Sequence, residues 1–421
     1  MVSRLTSVNV ASLALGLVTG PIIARVLGAE GRGELAAITA VLAMAPWLLD
    51  FGLSLWLARE RALGGRRSEL LGAALLPALA CSLTGVAAAI PLSHALGADR
   101  AVVVTFLQIG LFLMPVNVLL QALGGLALGE SRWPLVAAAR IIANVLPAVV
   151  IIALAAAGHL TVATAAAASM CGTVLSGLVF LPVVRGMDKL VFSVQRAGSA
   201  VAFGAKSWLS TIALAGNFRL DQILMAGLVT SRELGLYAVA VTIATLTGTL
   251  FGAVSSAVFP RVAQGDGALV ARSCRVTVLI VGVTGVGLAA VSPTLIPFVF
   301  GEQFRGAVPM VLILLVASVP GAPASVLSSA LNAANNPGAA MRAELVALAL
   351  TVPALIILLP DLGGRGAALV SLGAYAIKLV LQVNAGCRTF DFPASSFLVP
   401  NWDDIVWLKR QWGGRSRSRS R

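Results

Sequence analysis

Polar and charged residues in this chain fall in short clusters, separated by apolar stretches of about 20 residues. A helix rising about 1.5 Å per residue needs that length to cross a hydrocarbon core of roughly 30 Å. Residues 35–49 and 145–157 are apolar on every side and rich in Ala and Leu. That favours helix over the alternating pattern of a barrel strand. The pattern predicts twelve spans, at 6–26, 34–57, 70–93, 101–128, 134–157, 161–184, 204–229, 234–259, 276–299, 307–332, 344–360 and 366–387. The expected fold is an all-α polytopic membrane protein of about twelve transmembrane helices.

The basic residues orient these spans. Counted with the span ends that adjoin them, the odd-numbered gaps hold 6 Lys and Arg, whereas the even-numbered gaps and both termini hold 21. Lys and Arg collect on cytoplasmic loops, so both termini of this multi-pass membrane protein are expected inside. The even helix number independently places the termini on one side. The longest gap falls midway and divides the chain into two pseudo-symmetric six-helix lobes, 1–190 and 204–387, joined by a cytoplasmic linker at 191–203. A weak internal repeat supports this: Gly31-Arg32-Gly33-Glu34-Leu35-Ala36 and Glu233-Leu234-Gly235-Leu236-Tyr237-Ala238 occupy equivalent turns. Residues 388–421 read as a basic, partly disordered cytoplasmic tail. Trp402, Trp407 and Trp412 suit the headgroup zone, and the closing Arg-Ser repeat suits anionic lipid.

Composition agrees. A soluble domain does not reach 58% hydrophobic and 11% charged residues. A net charge of +13 would point to nucleic acid in a soluble protein, but in a membrane protein it reflects the loops, so no nucleic-acid partner is expected. The four cysteines, Cys81, Cys171, Cys274 and Cys387, are far apart, which leaves metal and redox roles unsupported. No nucleotide-binding or hydrolase motif stands in a suitable context, so an enzyme is not expected. No cofactor is implied beyond a coupling ion, H+ or Na+.

Five charges break the pattern by lying inside predicted spans: Asp50, Arg140, Arg219, Asp221 and Lys378. Each costs at least about 2.5–3.5 kcal/mol at a helix centre, so intramembrane charge points to function. Arg219 and Asp221 are two residues apart and project about 200° apart, which excludes a same-face pair. Asn217 shares the Asp221 face, making 217–221 the leading cavity-facing stripe. Asp50 and Lys378 suit either an interhelical pair or a transport role. Arg140 lies near a span end and can snorkel. Asn144 adds a neutral polar group to the fifth span.

Three segments carry a resemblance: Gly20-Pro21-Ile22-Ile23-Ala24-Arg25-Val26-Leu27-Gly28-Ala29-Glu30-Gly31-Arg32-Gly33-Glu34-Leu35-Ala36, then Arg219-Leu220-Asp221-Gln222-Ile223-Leu224 with 233–240 after it, and Phe259-Pro260-Arg261. They resemble bacterial oligosaccharide and polysaccharide flippases, members of the superfamily that also holds the MATE drug exporters and lipid II flippases. The resemblance implies export of a polyprenyl-pyrophosphate-linked oligosaccharide for polysaccharide biosynthesis by alternating access. It also implies a place beside polysaccharide polymerase machinery. Arg219 and Arg25 would meet the pyrophosphate, because a guanidinium fork binds phosphate oxygens bidentately. Asn217, Lys378 and Asn144 would line the substrate path, with Asp221 and Asp50 as counter-ions or coupling sites. A lipid II flippase and a multidrug/cation antiporter are the alternatives; the latter favours acidic cavity residues.

Overall fold

The computed structural model describes residues 2–97, 100–185, 187, 189–263, 267–399, 401 and 404. Side chains are described there except at 2–14, 206–207, 209–211, 213–215, 217–218, 249–251, 253, 256–261 and 263. The chain forms two compact units, Met1–Ala238 and Val239–Arg421. All described secondary structure is helical. The all-α polytopic membrane fold is therefore observed, and each of the twelve predicted spans falls on helix.

The first unit begins with α1 (Val2–Leu49), which carries the first predicted span and most of the second. Gly28, at φ 71° and ψ −176°, separates the two, a conformation glycine adopts without a Cβ clash. The second span then breaks again before α2 (Leu53–Ala62): Phe51 and Gly52 both have positive φ, 48° and 71°. Next come α3 (Arg67–Gly97), α4 (Ala101–Phe112) and α5 (Met114–Gly129). The predicted fourth span is thus two helices bent by 49°. Pro115, at the start of α5, has no N–H to continue the ladder, and Asn117 turns its side-chain amide back to the Leu113 carbonyl at 3.4 Å.

α6 (Trp133–Ala156) and α7 (Val162–Leu178) follow. A reciprocal Thr161–Thr164 capping box starts α7. α8 (Val194–Leu228) begins inside the stretch expected as a linker, because the Ser193 hydroxyl accepts from Arg196 N at 3.3 Å and caps a helix there. α9 (Ser231–Ala263) starts in the first unit and continues into the second.

The polar gaps of the first unit sort to two ends. Arg100, in the third gap, donates to Ser231 Oγ at 3.0 Å in the seventh and also to the Ala226 carbonyl. Val162, after the fifth gap, lies beside Gly31 in the first. At the other end, Glu130 in the fourth gap meets Arg61 and Arg67 in the second, and Arg67 reaches the Val183 carbonyl beside the sixth at 3.4 Å. Leu53, Trp56, Leu57, Leu70, Leu123 and Leu126 pack α2, α3 and α5 together behind that end.

The two repeated turns meet directly. A methyl on Gly33 would overlap the Ser231 carbonyl, and a methyl on Gly235 would overlap the Ala29 carbonyl. Each glycine thus faces the main chain four residues before the other, and their backbones touch as a reciprocal pair.

The second unit contains α10 (Ala268–Phe300), α11 (Val308–Ala333), α12 (Pro337–Phe390) and α13 (Ser395–Leu398). α12 holds the last two predicted spans, separated at Gly363 with φ 53°. Part of the expected tail is built into this unit. Phe397 is fully buried against Val270, Cys274 and Leu327, and Arg275 grips the Asp404 carboxylate at 2.6 and 3.0 Å. Trp402, Trp407, Trp412 and the Arg-Ser repeat lie outside the described residues.

Overpacking a close-packed contact typically costs about 1–3 kcal/mol. Gly33→Ala and Gly235→Ala are therefore each expected to lower the melting temperature of the purified protein by several degrees. Gly373→Ala, where a methyl meets nothing within 4 Å, is expected to leave it unchanged or raised. Equal melting of all three in a fluorescence-monitored thermal ramp would contradict the contact.

Candidate functional site

The C-terminal part of α8 and the start of α9 build the best-defined polar site in the first unit. Asp221 lies seven residues before the end of α8 at Leu228, about 10 Å along a helix. Its Oδ1 accepts from Gln222 N at 2.7 Å and its Oδ2 from the Tyr237 hydroxyl. Tyr237 is fully buried, and its hydroxyl reaches across from α9. Arg219 turns elsewhere, donating from Nη1 to Gln222 Oε1 at 3.1 Å. Among the described residues no ion pair joins Arg219 and Asp221, in keeping with their angular separation.

Arg32 completes the site. It stands at the turn between the first two spans, beside Gly33, close enough to Arg219 for the two charges to repel. Among the described residues its Nε is buried without a hydrogen-bond partner. The cluster holds two guanidiniums against one carboxylate, and that carboxylate is already bonded to Tyr237. An arrangement with surplus positive charge and free donors suits an anionic ligand.

The other expected site residues do not gather here. Asp50 sits at the break before α2, where it accepts from the Ser54 hydroxyl at 2.6 Å and from Ser54 N at 3.2 Å. Facing it, Trp208 of α8 donates from Nε1 to the Leu48 carbonyl at 2.7 Å, and its ring lies 5.0 Å from that of Phe51. Asn144 is exposed on α6 and donates back to the Arg140 carbonyl of its own helix at 2.8 Å. Arg25 is exposed on α1, three residues before Gly28. The Asn217 side chain lies outside the described residues.

In the second unit, Lys378 forms an ion pair with Glu344, both on α12, with side-chain exposures of 15% and 9%. Gln382 lies one turn beyond Lys378, and neither its Oε1 nor its Nε2 has a partner among the described residues. Glu344 corrects the expected balance of three basic to two acidic intramembrane charges. Position 344 is the first residue of the predicted eleventh span, but α12 begins at Pro337, so Glu344 is seven residues inside the helix.

Sequence reasoning also passed over Arg32 and Tyr237. Arg32 was grouped with loop residues, although two flanking glycines already signalled close main-chain packing. Tyr237 stands in the repeated turn and is one of two tyrosines in the chain.

Residues 2–265 match the model of a family described as "Polysaccharide biosynthesis protein". The chain belongs to this family. It is 24% identical over 383 residues to the "Probable low-salt glycan biosynthesis flippase Agl15" of Haloferax volcanii, covering 86% of this chain and 77% of that protein. Its fold is similar to that of a lipid II flippase MurJ in an inward closed conformation. The TM-score there is 0.76 at 14% identity, over 96% of this chain and 91% of that one. A multidrug resistance MATE family transporter in an inward-facing conformation gives a TM-score of 0.70 at 14% identity, covering 90% and 94%. The chain is thus a polysaccharide-biosynthesis family member whose helical fold is like that of these membrane transporters.

Removing a partner from a buried polar group costs about 1–3 kcal/mol. Tyr237→Phe, which takes away the hydroxyl that serves Asp221, is expected to lower the melting temperature. Adding Asp221→Asn should recover part of the loss, since a neutral amide tolerates the apolar setting better. Strictly additive losses in the double variant would show that the two side chains do not interact.

Proposed function

We propose that this protein carries a polyprenyl-pyrophosphate-linked oligosaccharide from the inner to the outer leaflet of a bacterial plasma membrane. Both termini face the cytoplasm, and transport proceeds by alternating access. The observation that carries this reading is the surplus of guanidinium over carboxylate around Arg219, inside a polysaccharide-biosynthesis family member. A drug cation would be repelled by that charge; a pyrophosphate would be held by it.

In this scheme Arg219 and Arg32 bind the phosphate oxygens, with Arg25 nearer the mouth of the path. Asp221 is the counter-ion, set in place by Tyr237. Protonation or cation binding at Asp221 frees Arg219 to engage the ligand and so couples transport to H+ or Na+. Asn217, Asn144 and Lys378 belong to the path of the sugar, and Asp50 to its coupling. Polysaccharide polymerase machinery receives the product. The similarity to lipid II flippases and MATE transporters extends to the fold alone and does not choose among substrates; the charge of the site supports an anionic one.

Deleting the gene is expected to make cells accumulate lipid-linked glycan in the inner leaflet, scored by extraction and mass analysis. Complementation by Arg219→Ala or Asp221→Asn should restore less than a tenth of the export given by the unaltered gene, at equal protein level in the membrane. Full restoration by both variants would remove these residues from the mechanism. Drug sensitivity in the deletion strain, without glycan accumulation, would instead identify an exporter of cations.

A further inference from the structure

The other polar end of the first unit holds a cluster that the transport scheme leaves unused. Arg61 lies in the last turn of α2, Arg67 opens α3, Glu130 follows α5, and Arg132 precedes α6. Their four side chains line a pocket of about 390 Å³, within the size range of small-ligand sites.

Glu130, with its side chain only 7% exposed, is the hub. Arg61 Nε donates to its Oε1 at 2.8 Å, and Arg67 takes both oxygens, Oε1 through Nε and Oε2 through Nη2 at 2.9 Å. Arg132 Nε stands 2.7 Å from Oε2. Burial opposes ionisation of Glu130, but the hydrogen bonds from Arg67 and Arg61 outweigh it and hold the carboxyl below the usual range. One carboxylate therefore faces three permanent cations, leaving two positive charges uncompensated.

The donors are likewise in excess. Arg61 Nη1 is used by the Gly65 carbonyl at 2.9 Å and Arg67 Nη1 by the Val183 carbonyl at 3.4 Å. Among the described residues, Arg61 Nη2 and both Nη groups of Arg132 make no hydrogen bond. These two side chains are 25% and 34% exposed. A helix staple needs one or two arginines on Glu130; the third adds like-charge repulsion without a new acceptor. The carboxylate fixes three guanidinium planes around a polar pocket, and the unused Nη groups of Arg61 and Arg132 can donate to a group with several anionic oxygens.

We infer that this pocket is a phosphoryl-binding site, taking a phosphate ester or pyrophosphate at the end of the unit opposite Arg219. The phosphoryl group can come from the carrier lipid or from an anionic phospholipid headgroup. Only the first source rests on the transport reading. In that case the site is where the carrier lipid's headgroup is first held.

The test uses the full-length protein in detergent, titrated with inorganic pyrophosphate at fixed ionic strength by calorimetry. In parallel, bound lipid is counted by native mass spectrometry after exposure to phosphatidylglycerol or phosphatidylcholine. Arg132→Gln is expected to weaken pyrophosphate binding at least tenfold. Arg132→Lys keeps the charge but not the fork and should weaken it about threefold to tenfold. It also serves where the glutamine variant does not give monodisperse protein. Arg342→Gln, an exposed arginine of the second unit, makes the same change in net charge and should have less than a threefold effect.

Pyrophosphate binding sensitive to Arg132 supports a site open to a carrier headgroup. A preference for phosphatidylglycerol that is lost in Arg132→Gln, with weak pyrophosphate binding, supports the same site and assigns it to bulk lipid. Equal pyrophosphate binding by the unaltered protein and the Arg132 variants, with an unchanged lipid preference, overturns the inference. So does an equal loss in Arg342→Gln, or an unaltered protein that neither binds pyrophosphate nor prefers phosphatidylglycerol. None of these readings depends on glycan export. A deletion strain that accumulates no glycan would sink the transport reading and leave this result standing.

Discussion

Backbone groups inside a bilayer cannot turn to water, so each interruption of a helix must find its partners within the protein. This requirement shapes the first unit. The break between α1 and α2 exposes the Leu48 carbonyl and the first N–H groups of α2; Trp208 takes the carbonyl and Asp50 takes Ser54 N. The partners fix α8 against the break, where a methyl on Gly204 would overlap the Phe51 carbonyl. At the bend, the Leu113 carbonyl keeps its ladder bond from Asn117 N at 3.1 Å, and the Asn117 side chain adds a second, longer one. Polar side chains that look isolated in an apolar sequence are therefore often the completion of a broken backbone.

The same rule separates two kinds of charge. Asp50, at the break before α2, and Lys378, within α12, each have a local partner, Ser54 and Glu344. Among the described residues, Arg32, with its Nε buried and unpartnered, and the exposed Arg219 have only Asp221 beside them, and Tyr237 and the Gln222 amide already hold that carboxylate. Charge left unmatched in a low-dielectric setting is costly.

The all-helical fold and its apolar, span-length segments were legible in the sequence, since span length and charge clustering are set by bilayer thickness and by solvation, both local properties. What depends on main-chain geometry was missed. The single-residue interruptions at Gly28 and Gly363 were read as loops, and the bends at Gly52 and Leu113 went unseen within apolar runs. The Ser193 cap turned an expected linker into helix. Within the site, Arg219 and Asp221 stood out because hydrophobic neighbours on every side made them anomalous. Arg32 and Glu344 escaped because each lies where a predicted span meets its gap, and a few residues of boundary error decide whether a charge counts as buried. Tyr237 carries no charge and left only its rarity as a signal.

The reciprocal fit of Gly33 and Gly235 has an implication for how this chain can diverge. Both surfaces at that crossing are peptide backbone, so neither turn has a side chain to shrink when the other gains one. A mutation at either glycine has no nearby suppressor. Such a contact, with no interdigitating knobs, also resists rotation only weakly and tolerates no separation. It behaves as a bearing rather than a clamp, inherited twice and worn by neither half.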